Sequence, residues 1–255
     1  RFCLWPLMSN IKKYLFLNFL NLYIFYKKNI KKKLNFHMDP HLFISKNLPK
    51  KPIIIEAGSA DGNDTLKFAK KYPQGIIYSL EPMQSFFQET KRKTESYKNV
   101  KLFNLAFSVK NGSSNLNVST IENEPWGSSS LLKPKLHIVL HPDIEFNSTE
   151  KVKTIKYDTF LDLNDITYVD LLWLDLQGIE PDILASSKNL RHIKYLYTEV
   201  SLLENYEGQM LYKDFKRLMN NNSFVVHFED IRWKDGGNVM FKNKKFIHKR
   251  SSNLI

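Results

Sequence analysis

The sequence contains a single cysteine, Cys3, among its 255 residues. No intramolecular disulfide can form, and a four-ligand cysteine zinc site is excluded. Acidic residues are missing from both ends. Residues 1–51 hold eleven Lys or Arg against Asp39 alone, and residues 242–255 hold five basic residues and no acid. Of the net charge of +12, the ends carry +10 and +5, so the body between them stands at −3. A basic charge confined to the ends of a slightly acidic body argues against a folded surface that tracks phosphate backbones, and no nucleic-acid partner is expected. Long apolar runs are lacking too. The stretch 14–26 is broken by Asn18 and Asn21 and falls short of the roughly 20 apolar residues that span a bilayer. No small-residue cleavage site follows it, so it does not read as a signal peptide. Lysines flank it on both sides, and residues 1–51 are expected as a poorly ordered extension or as a peripheral contact with an anionic membrane surface. The protein is accordingly expected in the cytoplasm, free or membrane-associated. The chain opens on Arg1, with Met8 and Met38 as candidate starts, which reads as a fragment or a read-through of an upstream start.

What is present is one domain's worth of core, with 42% of residues hydrophobic. From Pro52 onward, short runs rich in β-branched and aromatic residues alternate with helical segments, the pattern of an α/β sheet. Strands are expected at 53–56, 76–80, 100–105, 169–174, 195–200, 224–228 and 238–241, and helices at 64–72, 84–97, 184–190 and 211–220. Residues 107–160 fit the alternation poorly and read as an insertion with strands at 115–118 and 153–157. The domain is expected to end near residue 245, with 246–255 as a basic tail.

Glu56-Ala57-Gly58-Ser59-Ala60-Asp61-Gly62 follows the first strand and opens a helix. Small residues there let the backbone turn sharply beneath a ligand, while the helix start offers unpaired N–H groups. Glu81, in Leu80-Glu81-Pro82, ends the second strand about twenty residues on, where a carboxylate grips a ribose diol in doubly wound folds. Together these point to an adenosine-containing cofactor. An NAD-dependent oxidoreductase shares both features, but no Tyr-x-x-x-Lys or comparable hydride-transfer constellation accompanies the turn. A non-catalytic binding module is the other alternative, against which the acidic residues at 56, 81 and 175 argue.

The turn, with Glu56 before it, resembles the opening of class I methyltransferases. The segments IIIEAGSADGNDT, YSLEPMQSFF, NVKLFNLAFS, WGSSSLL, VKTIKYDTFL, VDLLWLDLQGIEPDIL and YLYTEVS, in that order over residues 53–201, resemble the FkbM methyltransferase family. Where many relatives read aspartate-x-glutamate-glycine, this chain has Asp175-Leu176-Gln177-Gly178. The resemblance implies a Rossmann-like, seven-stranded, mostly parallel sheet with helices on both faces, an antiparallel last strand, and S-adenosylmethionine over its C-terminal edge. It further implies that Glu56, Gly58 and Asp61 flank the methionine part of the cofactor, that Ala60 also contacts the cofactor, that Glu81 holds the ribose, that Asn104 and Ala106 sit near adenine, and that Asp175 lies beside the methyl group.

Such an enzyme methylates a hydroxyl on a sugar, glycan or secondary metabolite, and the hydroxyl needs a base within hydrogen-bond reach. Asp175 is one candidate, against its reading as a strand-end turn cap. His137 is another, with His141 one helical turn away; two histidines without a third ligand do not make a metal site, and no metal is expected. Trp126, Ser129, Glu180 and Glu199 are the candidate acceptor contacts, the tryptophan by stacking and the two glutamates against the reading of surface ion-pair formers.

Overall fold

A computed structural model describes residues 39–248. The apolar run at 14–26, most of the basic extension and the end of the tail lie outside the described residues. The strands are β1 (Ile53–Ala57), β2 (Ile76–Leu80), β3 (Val100–Phe103), β4 (Ala106–Phe107), β5 (Gly112–Ile121), β6 (Glu124–Pro125), β7 (Glu145–Ile155), β8 (Val169–Leu174), β9 (Ile193–Ser201), β10 (Phe224–Asp230) and β11 (Gly236–Asn243). The helices are α1 (Pro40–Asn47), α2 (Asn63–Lys71), α3 (Gln84–Thr94), α4 (His137–Leu140), α5 (Tyr157–Leu163), α6 (Glu180–Ser186) and α7 (Tyr212–Asn221).

Seven strands form the main sheet in the order β10-β11-β9-β8-β1-β2-β3. β1, β2, β3, β8 and β9 pair in parallel. The last strand, β11, enters antiparallel between β9 and β10. All six residues of β8 are buried, as a central strand covered on both faces requires. One face packs on α5, α6 and α7 through Phe160, Leu161, Ile183, Leu184, Phe215 and Met219. The other packs on α1 and α2, where Phe43, Ile44, Phe68 and Tyr72 meet Ile54, Ile77, Leu171 and Trp173.

The structure departs from the sequence-based expectations in three places. The stretch assigned to an extension contains α1, which Asp39 caps by accepting from the His41 amide (2.9 Å) and which buries Phe43 and Ile44 in the core; the packed fold starts before residue 52. The insertion is a second sheet, β4-β7-β5-β6. Its hairpin of β5 and β7 is far longer than the strands expected at 115–118 and 153–157, and Tyr157 opens α5 instead of ending a strand. The helix expected at 184–190 begins at Glu180, with Pro181 in its first turn, and ends at Ser186. No helix among the described residues is long and apolar enough to cross a membrane.

Because Phe43 fills the contact between α1 and the sheet, Phe43→Ala is expected to lower unfolding free energy by roughly 3–5 kcal/mol. Urea titration followed by circular dichroism reads this directly; an unchanged midpoint would show that α1 is not part of the cooperative unit.

Candidate active site

Three strand ends are stitched together at the C-terminal edge of the sheet. The amides of Gly58 and Ser59 donate to the Leu80 carbonyl at 3.0 and 3.3 Å, and the Asp175 amide donates to the Ala57 carbonyl at 3.0 Å. Gly58 has φ +80°, and a Cβ there would lie 1.8 Å from the Asp175 carbonyl oxygen, so no side chain fits at this crossing. The turn then aims its backbone at Glu81. The Ala60 amide donates to Glu81 Oε2 (2.8 Å) and the Met83 amide to Oε1 (2.9 Å). Burial nevertheless pushes the Glu81 carboxyl up to about 8, the two amides and the nearby Glu150 and Asp175 being smaller influences.

Two connected lobes open from this point. The first is lined by Gly58, Glu81, Met83, Ala106, Phe107, Ser129 and Leu131 among others. The second, of about 680 Å³, is lined by Asp61, Gln177, Glu180, Glu199, His137, His141, Asn205, Tyr206, Trp233 and Asp235 among others. Ala60, Phe86, Trp126, Gly127 and Asp175 line both. Among the described residues, six that bear carboxyls line the cleft, Asp61, Glu81, Asp175, Glu180, Glu199 and Asp235, and no Lys or Arg does.

The lining of the first lobe, about 100 Å³, suits the chemistry of an adenosine: an apolar slot formed by Met83, Phe86, Ala106 and Phe107, with the Glu81 carboxyl still holding lone pairs for a ribose diol. A dinucleotide's pyrophosphate would face the carboxylates with no cation to pair it, whereas a sulfonium is favoured by the same field. The Tyr-x-x-x-Lys spacing does occur, at Tyr97–Lys101 and Tyr212–Lys216, and at Tyr23–Lys27 outside the described residues. None of the described four lines the cleft.

Two expected cofactor residues are not brought to the cleft. Glu56 lies one position out of phase with Ile55 and Ala57, so its side chain turns into the opposite layer, where it is 1% exposed and accepts a hydrogen bond from Thr65 Oγ1. Thr65 in turn pairs with Ser79 (3.0 Å). Burial pushes the Glu56 carboxyl up to about 8, against the lowering effect of that hydrogen bond. Asn104 props the backbone behind Glu81, its Nδ2 donating to the Glu81 and Pro82 carbonyls, both at 2.9 Å. Asp61 stands at the mouth of the second lobe, paired with Lys93 (3.2 Å) and accepting from the Asn63 amide (3.1 Å).

At the floor of the junction, Gln177 Nε2 donates to Asp175 Oδ1 (2.7 Å) and to Glu199 Oε2 (2.8 Å). Its Oε1 accepts from Tyr206, whose hydroxyl also lies 2.7 Å from the Ser128 carbonyl. Asp175 opens to the cleft yet lies deep within the molecular envelope, and desolvation raises its carboxyl, partly offset by hydrogen bonds from Gln177 and Glu199. Glu199 is raised well above the carboxylate range, first by burial and then by repulsion from Asp175 and Glu180. Of the two, Glu199 has the stronger tendency to hold a proton, because it faces both Asp175 and Glu180. Glu180, expected as an acceptor contact, spends both oxygens on backbone: Oε1 accepts from the Leu176 amide (2.7 Å) and Oε2 from the Gly178 amide (2.9 Å). It fixes the turn that carries Gln177, whose φ is +55°.

The small sheet covers the cleft from one side. Ser129 Oγ accepts from the Ser119 amide (2.9 Å), holding the Trp126–Ser130 segment over the first lobe, and Ser130 Oγ donates to the Gln177 carbonyl (2.8 Å). His137 and His141 come together with ring centroids 4.7 Å apart. His137 is buried and burial pushes it down to about 4, so it is neutral near pH 7 and a poor proton acceptor. His141 Nε2 lies 3.1 Å from Asp235 Oδ2. Among the described residues no group of three or more His, Cys, Asp or Glu could hold a metal ion. Gln177 was visible in the sequence as the departure from aspartate-x-glutamate-glycine but carried no assigned role; Asn205, Tyr206, Trp233 and Asp235 were not singled out, since they come from turns without a motif signal.

The fold and the cleft are those of a class I methyltransferase whose cofactor is S-adenosylmethionine. The family model described as the methyltransferase FkbM domain matches residues 56–226, and the chain belongs to that family. The 2-O-methyltransferase NoeI of Sinorhizobium fredii is 28% identical over 198 residues, 76% of this chain and 80% of that protein. Among solved structures, the Methanococcus jannaschii fibrillarin pre-rRNA processing protein is similar at 13% identity and TM-score 0.47, covering 77% of this chain and 69% of that one. M. capricolum TrmK with S-adenosyl-homocysteine is similar at 10% identity and TM-score 0.45, covering 82% and 70%. These structural likenesses are distant, and the assignment rests on the family match and the chain's own topology.

Two expectations follow from the buried carboxyls. Glu81→Gln places an NH₂ against one of two backbone donors and leaves a single acceptor oxygen for the diol, so S-adenosylhomocysteine should bind roughly 10- to 100-fold more weakly by calorimetry. Glu56 has a folded pKa raised from 4.5 to about 8, so its contribution to stability is present below its unfolded pKa and is lost as pH rises through the folded one. The melting temperature of the cofactor-free protein should fall between pH 5 and about 8, and Glu56→Gln should flatten that fall; an identical slope in the variant would remove Glu56 as its source.

Proposed function

We propose that the enzyme transfers the methyl group to a hydroxyl on a small molecule or glycan, as an O-methyltransferase. The observation that carries this reading is the Asp175–Glu199 pair at the junction of the two lobes, held by one glutamine amide. Bound in the first lobe, the cofactor supplies a methyl group carried on a cationic sulfur. Glu81 would hold its ribose and the Gly58–Ala60 turn would flank its methionine part, while Asp175 and Trp126 border both lobes where the acceptor enters. An alcohol becomes a competent nucleophile as its proton leaves, and ionised Asp175 is the group to receive it. Glu199, which holds a proton the more strongly, and Gln177 hold Asp175 in one orientation. The 2-O-methyl activity named for the Sinorhizobium fredii relative supports a hydroxyl acceptor. The acidic cleft, without a lining cation, disfavours nucleic acid, whose phosphates flank every nucleoside hydroxyl.

Mass spectrometry of cell extracts incubated with cofactor and protein should show species heavier by one methylene. Asp175→Asn is expected to lower that rate by about 10²–10⁴-fold while S-adenosylhomocysteine binding changes far less. The wild-type rate should climb as pH rises through the elevated Asp175 pKa, and that limb should vanish in the variant. Wild-type activity in Asp175→Asn would assign the proton transfer elsewhere.

A further inference from the structure

The outer end of the second lobe holds two buried polar atoms that find no hydrogen-bond partner among the other described residues, Asn205 Oδ1 and His137 Nδ1. Buried polar atoms pair as a rule, so an unpaired couple in one cleft wall marks a place where a ligand supplies the partners. The orientation of the Asn205 amide is fixed. Its Nδ2 donates to Asp235 Oδ2 at 2.7 Å, and a carboxylate accepts only, so the free atom is the carbonyl oxygen and requires a donor. His137, neutral near pH 7, offers one ring nitrogen as donor or acceptor, which suits a hydroxyl in either role. Two tryptophans flank the same lobe with large exposed areas, Trp126 at 48% and Trp233 at 45%. Flat apolar faces beside acceptor atoms match a ring whose faces are C–H and whose rim is O–H.

We infer that this end of the cleft is a sugar subsite that takes an uncharged pyranose, with a ring hydroxyl donating to Asn205 Oδ1, another pairing with His137 Nδ1, and Trp233 stacking on the ring. The inference rests on the reading of the cleft as a hydroxyl methyltransferase site and names its acceptor class. Uronic acids and sugar phosphates are disfavoured because Asp61, Asp175 and Asp235 line the lobe and, among the described residues, no Lys or Arg does.

The test uses the full chain saturated with S-adenosylhomocysteine and a panel of methyl glycosides of neutral hexoses, 6-deoxyhexoses and N-acetylhexosamines, with glucuronic acid and glucose 6-phosphate as anionic controls. Saturation-transfer NMR and thermal shift should detect at least one neutral glycoside, with the anionic sugars about tenfold weaker or absent. Trp233→Ala, a change at an exposed position, should weaken that glycoside about tenfold, and Trp233→Phe should restore most of it. Both variants should bind S-adenosylhomocysteine as the wild type does. Equal binding of anionic and neutral sugars, an unchanged glycoside affinity in Trp233→Ala, or binding of S-adenosylhomocysteine with no glycoside at all would each overturn the subsite and leave the methyltransferase reading standing. Failure to bind S-adenosylhomocysteine would overturn both.

Discussion

Everything at the C-terminal edge depends on the contact between Gly58 and the main-chain carbonyl of Asp175. Strands β1 and β8 are neighbours, and the chain must leave β1 by crossing directly against the end of β8. With no Cβ available in that space, the turn closes tightly enough for one hydrogen-bond ladder to join Ala57, Leu80 and Asp175. That closeness puts the Glu81 and Asp175 carboxyls on the walls of a single cavity. A looser crossing would separate them, whereas transfer between two bound molecules requires reacting atoms held about 3–3.5 Å apart.

The charge of the cleft follows from the same convergence. Parallel strands bring their C-terminal residues to one edge, and here β8 and β9 each carry a carboxylate to it. Burial and mutual repulsion push the acids toward their neutral forms, so the cleft stores protons until something cationic or hydrogen-bonding enters. A sulfonium donor relieves part of that repulsion and adds binding energy without any dedicated basic or aromatic cage. Gln177 complements this arrangement. A carboxylate in its place would add a further acid between Asp175 and Glu199; an amide supplies two hydrogens to them instead.

Much of this was legible in the sequence where burial is complete. β2 and β8 are apolar runs with both faces covered, and their limits were read to the residue. Gly58, Ala60, Glu81 and Asp175 were legible because a small-residue turn and strand-end acids carry a mechanism in their spacing. The β5–β7 hairpin was only half visible, since strands such as GSSNLNVSTI expose most of their side chains and carry no apolar alternation. Glu56 was misplaced although strand parity separates it from Ile55 and Ala57; the motif outweighed the alternation. The acceptor wall was invisible because Asn205, Trp233 and Asp235 meet only through the return of β11 between β9 and β10.

That return has a further consequence. The family match stops at residue 226, before the turn that bears Trp233 and Asp235, and both residues line the second lobe alone. Asp235 ties that bend to Asn205 and His141, whereas the exposed ring of Trp233 is free to vary, so on the proposed reading a change at Trp233 alters which acceptor is held while Gly58, Glu81 and Asp175 keep their places.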